Sequence, residues 1–221
     1  EPFNTHSPAE TNLFYLFQKQ ISDDFIVIHS FAWLSTYFLK KGYTPEKEID
    51  FVILHKIYGI LVLEVKGGDI KYKNYCYFSN NTKINEPCKQ VTSNMHAFRE
   101  LLYNELGLTC NTGFAVVFPD TFFDKNNIPS SLIIQNSNEY INFIIDKNNI
   151  VNLEKRITEI MLYWRNQFGK ANNNEKFNNI INFLIKTNNT EFSLQDKIEY
   201  DKKKWLYLSS EQDTYLKLLI N

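Results

Sequence analysis

Two acids and a lysine stand where the strands of a folded protein seldom carry charge. The stretch Glu48-Ile-Asp-Phe-Val-Ile-Leu-His-Lys-Ile-Tyr-Gly-Ile-Leu-Val-Leu-Glu-Val-Lys-Gly-Gly reads as two apolar strands joined by a tight turn. Its Val, Ile, Leu and Phe content suits buried strands, the first over about 48–54 and the second over about 60–66. With the turn centred near Ile57, antiparallel pairing sets Asp50 opposite Glu64. Alternation along a strand puts Glu64 and Lys66 on one face. Two carboxylates facing each other repel and weaken a sheet. A largely buried carboxylate also carries a heavy desolvation cost unless it is paired or bound to metal. A divalent cation held between Asp50 and Glu64 answers both objections. The plainer account is an ion-paired strand end at the solvent surface. Three charges converging on an apolar hairpin weigh against it.

The elements around this hairpin decide whether it can be held. An opening helix is expected over about 7–22: Ser7 can cap it, Pro8 suits its first position, and Glu10 stands three after Ser7 as in a capping box. Leu13, Phe14, Phe17 and Ile21 give it a core face. Phe25–His29 reads as a short strand, and 33–46 as irregular or a short helix. Gly67-Gly68 ends the second hairpin strand, and 69–78 reads as a further strand or hairpin. Pro87 opens a helix to about Leu106, with Val91, Met95, Phe98, Leu101 and Leu102 on one face. Gly113–Phe118 is a buried strand stopped by Pro119, and Leu132–Gln135 is expected to be the last strand. Helices follow over about 151–168 and 173–187, with a turn between them. This order predicts an α/β fold, a mixed sheet flanked by helices.

Bulk properties exclude several classes. The 221 residues suffice for one sizeable core or a core plus an appendage, and 43% hydrophobic with 22% charged residues is the globular range. No apolar run is long enough for a membrane-spanning helix. The N-terminal Glu-Pro-Phe-Asn-Thr-His has neither the basic nor the apolar region of a signal peptide, and no Met opens it, so a trimmed end is expected. Cys76, Cys88 and Cys110 are odd in number and widely spaced, which fits a reducing compartment and a cytoplasmic protein. Nor does any Cys-x-x-Cys or His-x-x-His pair mark a structural zinc site. A net charge of −1 gives no electrostatic footprint for nucleic acid over the whole chain, although Lys40-Lys41 and Lys202-Lys203-Lys204 are locally basic.

Asp50 followed, after thirteen intervening residues, by Glu64-Val65-Lys66 resembles the active site of the PD-(D/E)XK nucleases. More narrowly, Glu48–Ile70 is similar to the nuclease-related domain (NERD) family, in which an acidic, hydrophobic run precedes a Gly-initiated strand ending in Glu-Val-Lys and small residues. Glu10 falls on the opening helix, where that superfamily often carries an acid. Asn85-Glu-Pro87 followed by Gln90 resembles the family's Asn-Pro-x-x-Gln lead into the next helix. The likeness covers roughly 7–168. Related exonucleases carry a Tyr four residues after the Gln; here that position is Asn94, so exonuclease-like strand handling is not implied. A restriction-endonuclease-like fold is therefore expected, with a domain over 1–188.

The remainder, 189–221, reads as a linker and the start of a further module. Leu208-Ser-Ser-Glu-Gln-Asp-Thr-Tyr-Leu resembles the segment before the Walker A loop of superfamily-one helicases, where a Gln contacts adenine; Gln212 matches it. The Walker A loop itself is absent. The sequence stops as a helix begun at Ser209 or Ser210 ends, which reads as a cut inside a longer protein. The resemblance implies the nuclease module of a nuclease–helicase, and such fusions often serve anti-phage defence.

The chemistry implied is metal-dependent phosphodiester hydrolysis, with DNA as partner and Mg2+ or Mn2+ as cofactor. Asp50, Glu64 and the Val65 carbonyl would be metal ligands, since magnesium prefers oxygen and keeps several waters. Lys66 would orient the attacking water and stabilise developing negative charge. Glu10 would hold a second metal through water or position the lysine. Gln90 would bond the water, Lys66 or the scissile phosphate. The plainer roles are a capping-box acid for Glu10 and a first-turn polar residue for Gln90. His29 and His55 read as strand-end and turn residues, and His96 as a surface residue or one near the site. Tyr72, Tyr75 and Tyr77 are able to stack on bases, but alternating aromatics are ordinary strand content; Trp164 reads as core. Three other functions stay open: a non-cleaving nucleic-acid-binding or docking module, a ribonuclease, and a homo-oligomerisation platform.

Overall fold

The computed structural model describes residues 7–31, 48–124, 128–135, 140–168 and 174–189. The expected irregular segment at 33–46 and the C-terminal helix lie outside them. Contacts divide the chain into two compact units, Glu1–Ile181 and Asn182–Asn221. The first holds a five-stranded mixed sheet flanked by helices, an α/β architecture consistent with a restriction-endonuclease-like fold.

Helix α1 (Pro8–Gln20) starts as its sequence dictates: Ser7 Oγ accepts the Glu10 N–H at 3.4 Å, and Pro8 fills the first turn. Its buried face is Ala9, Leu13 and Phe17. Strand β1 (Phe25–Phe31) pairs antiparallel with β2 (Ile49–His55), and β2 with β3 (Gly59–Val65). The β2–β3 turn closes on the pair His55 and Gly59. His55 Nδ1 accepts the N–H groups of Ile57 and Tyr58, so it is a turn residue as expected. Gly59 has φ +97°, and a Cβ there would stand 2.6 Å from the Asn111 carbonyl oxygen, so only glycine fits.

After β3 the chain forms a small antiparallel ribbon of β4 (Ile70–Lys73), β5 (Cys76–Ser79) and β6 (Thr82–Ile84). Sequence patterning predicted its first hairpin but not β6. Helix α2 (Pro87–Leu106) then crosses to β7 (Thr112–Phe118), which runs parallel to β3. Every residue of β3 and β7 is buried, as central strands covered on both faces require.

The predicted last strand needs correction. Ile133–Gln135 is strand β8, but it pairs only with β9 (Tyr140–Asn142) in a separate two-stranded sheet. The central sheet is completed by β10 (Ile144–Asp146), parallel to β7, giving the order β1-β2-β3-β7-β10. Three residues are too few for a periodicity to show. Buried Asp146 ends this strand by accepting the N–H groups of Phe123, Asn148 and Asn149.

Helix α3 (Leu153–Phe168) packs on β3, β7 and β10. Its Trp164 lies over Gly113, where a Cβ would collide with the indole ring, and donates to the Phe114 carbonyl at 3.1 Å. Gly113 lies across from Leu61, and Glu64 from Val116, so these two pairs face opposite sides of the sheet. Helix α3 covers the Gly113 side, together with α1, whose Phe17 meets Phe51. Helix α2 covers the Glu64 side. Helix α4 (Asn174–Asn189) follows.

Candidate active site

The register fixes where the two acids stand. Phe51 pairs with Leu63, so the next step outward sets Asp50 against Glu64, as the hairpin reading predicts. The β2–β3 ladder ends at the Phe51–Leu63 pair, while on its other edge β2 stays paired with β1 as far as Ile49 and Phe31. The Asp50 carboxylate takes over the edge of β3, with Oδ2 accepting the Val65 N–H at 2.6 Å. Asn94 of α2, buried, donates to the Glu48 carbonyl at 3.1 Å and so fixes the entry into β2. The residue that departs from the exonuclease pattern thus has a structural role two positions before Asp50.

Glu64 is 1% exposed. Lys66 Nζ lies 2.6 Å from its Oε1, yet neither carboxylate oxygen receives a well-aligned hydrogen bond. Burial pushes the Glu64 carboxyl above its ordinary range; Lys66 opposes the rise, Glu10 adds to it, and Gln90 offers a weak compensating bond. Asp50 keeps partial exposure but is pushed up to about 8, by burial first and by Glu64 second. The Val65 N–H and Lys66 only partly counter this.

Glu10 approaches from α1. A Cβ on Gly67 would stand 2.7 Å from the Ala9 Cβ, so the glycine after Lys66 lets the helix start close against the end of β3. Glu10 raises both Asp50 and Glu64 through its charge. It also sits 3.5 Å from His29 Nε2. His29 is therefore not a strand-end residue: β1 continues past it to Phe31, and its buried ring stacks on Phe51 at 4.6 Å. His96 is exposed on α2. Trp164 is packed among Phe114, Phe143 and Tyr163.

Asp50, Glu64, Lys66, Gln90 and Glu10 thus meet at the C-terminal end of β3, where α1 and α2 both begin. Three acids there are opposed, among the described residues, by Lys66. Among those residues no group of three or more His, Cys, Asp or Glu side chains is disposed to share one metal. Two carboxylates and a backbone carbonyl are a smaller, oxygen-only set, of the kind that suits a cation keeping part of its water. The unsatisfied Glu64 oxygens and the mutual repulsion of the acids fit such an ion. Asp50, Glu64 and the Val65 carbonyl are the groups that would hold it.

Sequence reasoning missed the clamp behind the site. Asp120, just past β7, accepts the Gly68 N–H at 2.8 Å, and Thr121 Oγ1 bonds the Gly68 carbonyl and the Ile70 N–H. The parallel pairing of β3 with β7 carries these residues beside Gly67-Gly68, a neighbourhood that spacing along the chain does not reveal.

Buried Glu64 and partly exposed Asp50, with Lys66 beside them, thus stand at the end of a central strand in a mixed α/β sheet. Residues 5–119, just over half of the chain, match the family model of the nuclease-related domain, NERD. The chain belongs to that family. No curated protein and no solved structure gives a significant match.

Proposed function

We propose that the chain hydrolyses phosphodiester bonds of DNA at a PD-(D/E)XK-type site that uses Mg2+ or Mn2+. The observation that carries this reading is the convergence of Asp50 and Glu64, both raised by burial, beside Lys66 at the end of β3. A bound divalent cation supplies charge to the phosphate and makes an attacking water more acidic. The chain's own residues do the rest. Asp50 and Glu64 bind the cation. Lys66, whose ammonium lies beside Glu64, would orient the water and meet charge growing on the phosphate. Gln90 holds the water or a phosphate oxygen in place. Glu10 keeps the local field negative and attracts the cation.

The resemblance at Leu208–Leu216 supports a setting beside a superfamily-one-type helicase, and through it a role in anti-phage defence. The free thiols of Cys76, Cys88 and Cys110 agree with a cytoplasmic setting. Among the described residues no helix is long and apolar enough to cross a membrane.

One observation favours a second reading. Lys66 already neutralises Glu64 at 2.6 Å, which is also what a non-cleaving nucleic-acid module would look like. End-labelled single- and double-stranded DNA and RNA, incubated with Mg2+, Mn2+ or EDTA, separate the two. Cleavage of DNA that requires metal and is lost in Lys66→Ala supports the proposal. Binding without cleavage in every metal condition overturns it, and exclusive cleavage of RNA replaces the substrate.

A further inference from the structure

The ribbon that follows the site sorts its residues sharply by face. Tyr72 stands across from Tyr77, and Tyr77 across from Ile84; Ile70 shares their face, and Ile70 and Tyr77 are buried. The other face carries Lys71, Phe78 and Lys83 in one row across all three strands, with Lys73 one step along β4. Residues 70–84 contain these three lysines and no acid, in a chain whose net charge is −1. Lys71 holds Asp69 at 2.8 Å, an exposed pair that a phosphate can displace at little cost. Lys73 and Lys83 are exposed, and Phe78 is half-buried between Lys71 and Lys83.

The tip of the ribbon adds an independent observation. The β4–β5 turn places Asn74 at φ +49° and Tyr75 at φ +60°. Both central positions are left-handed, as the tight hairpin turn requires, and glycine or asparagine is the ordinary occupant. A tyrosine there is strained, and 91% exposure means that its ring recovers nothing by packing. Strain retained at an exposed aromatic points to a task outside the fold.

We propose that the outer face of this ribbon binds a single-stranded nucleic-acid segment. Lys71, Lys73 and Lys83 meet successive phosphates, and Tyr75 and Phe78 stack on unpaired bases. Interleaved cations and aromatics are what sequence-tolerant strand binding needs. The ribbon is also fastened to the site. Ser79 Oγ donates to the Gly67 carbonyl at 2.8 Å, and Asp69 and Asn80 exchange bonds across the ribbon's base. A strand held on the ribbon is thereby delivered next to Lys66. That last step rests on the nuclease reading; the binding does not.

The test is fluorescence anisotropy of a labelled oligo-dT of about 20 nucleotides with the 221-residue chain in EDTA, where no metal-dependent cleavage can interfere. The triple variant Lys71→Ser, Lys73→Ser, Lys83→Ser is expected to bind at least about tenfold more weakly, with the slope of log affinity against log salt reduced by about 2. Tyr75→Gly fits the left-handed turn and keeps the fold; it is expected to lose about five- to tenfold in affinity with the salt slope unchanged. Native circular dichroism checks both variants. Parental affinity and slope in the folded triple variant overturn the proposal, as does equal binding of a duplex with Tyr75→Gly without effect. Ribbon-dependent binding by a chain that never cuts would overturn the nuclease reading alone.

Discussion

Two hairpins follow each other in this chain and place charge in opposite ways. In β2–β3 the strands are buried on both faces, and the charges, Asp50 and Glu64, are acids held where burial raises both. In β4–β5 one face is solvated, and its charges are lysines that lie on it at ordinary exposure. The first arrangement is costly to the fold, and the Val65 N–H bond to Asp50 returns only part of that cost; the cation proposed above would account for the rest. The second costs the fold almost nothing, so its account must come from the sign and clustering of the charge. Glycine marks the same divide. Gly67 has to be small because α1 presses on it, whereas the Tyr75 position would welcome glycine and lacks it.

The comparison breaks most plainly at the buried acids. Asp50→Ala and Lys66→Ala are each expected to lower metal-dependent cleavage roughly a thousandfold while leaving the far-ultraviolet spectrum native. A folded Lys66→Ala chain that cuts at the parental rate would remove the lysine from the chemistry. Crowding at the site gives a smaller effect. Gly67→Val pushes a side chain into Ala9, already 2.7 Å from where a Cβ would be, and should cost about 1–3 kcal/mol in urea unfolding. An unchanged urea midpoint would show that α1 is not seated against β3 as described.

Proton linkage sharpens the same contrast. With Asp50 pushed up to about 8, the metal-free folded chain keeps a proton that the unfolded chain releases near pH 4. Folding takes up that proton across the window, so stability falls as pH climbs from about 4 to about 8 and levels off above it. Asp50→Asn removes this contribution while keeping an acceptor for the Val65 N–H. It should be more stable than the parent at pH 8 by on the order of 1–3 kcal/mol, with a shallower slope rather than a flat one, because Glu64 is raised as well. Thermal melts in EDTA at a series of pH values decide it; parallel slopes for the two proteins would refute the linkage.

How much of this was readable beforehand varies with the physics of each part. The β2–β3 register was legible because a continuous apolar run and a tight turn centred near Ile57 set the pairing, and a one-residue slip would turn each strand's side chains to the other face. Helix α2 was legible from Pro87 and a five-residue apolar stripe. Strand β10 was not, since Ile144–Asp146 gains its identity only from pairing with β7. Strand β6 is Thr-Lys-Ile, too polar and short to register as a strand alone. The approach of Glu10 to His29 depends on how α1 docks over β1, and the Asp120 clamp on which strand ends become neighbours. Such relations belong to tertiary packing.

The ribbon tip carries the smallest expected change, and its sign is informative. An L-residue other than Gly, Asn or Asp loses about 1–2 kcal/mol in the left-handed region, and Tyr75 is 91% exposed there. Replacement by glycine relieves that strain but gives the unfolded chain more freedom to lose. The net is a gain of roughly 0–1 kcal/mol for Tyr75→Gly. Urea midpoints of the two chains measure it. A clear loss of stability would mean that the tyrosine ring supports the fold after all, and the strained ribbon tip would no longer point to a task outside the fold.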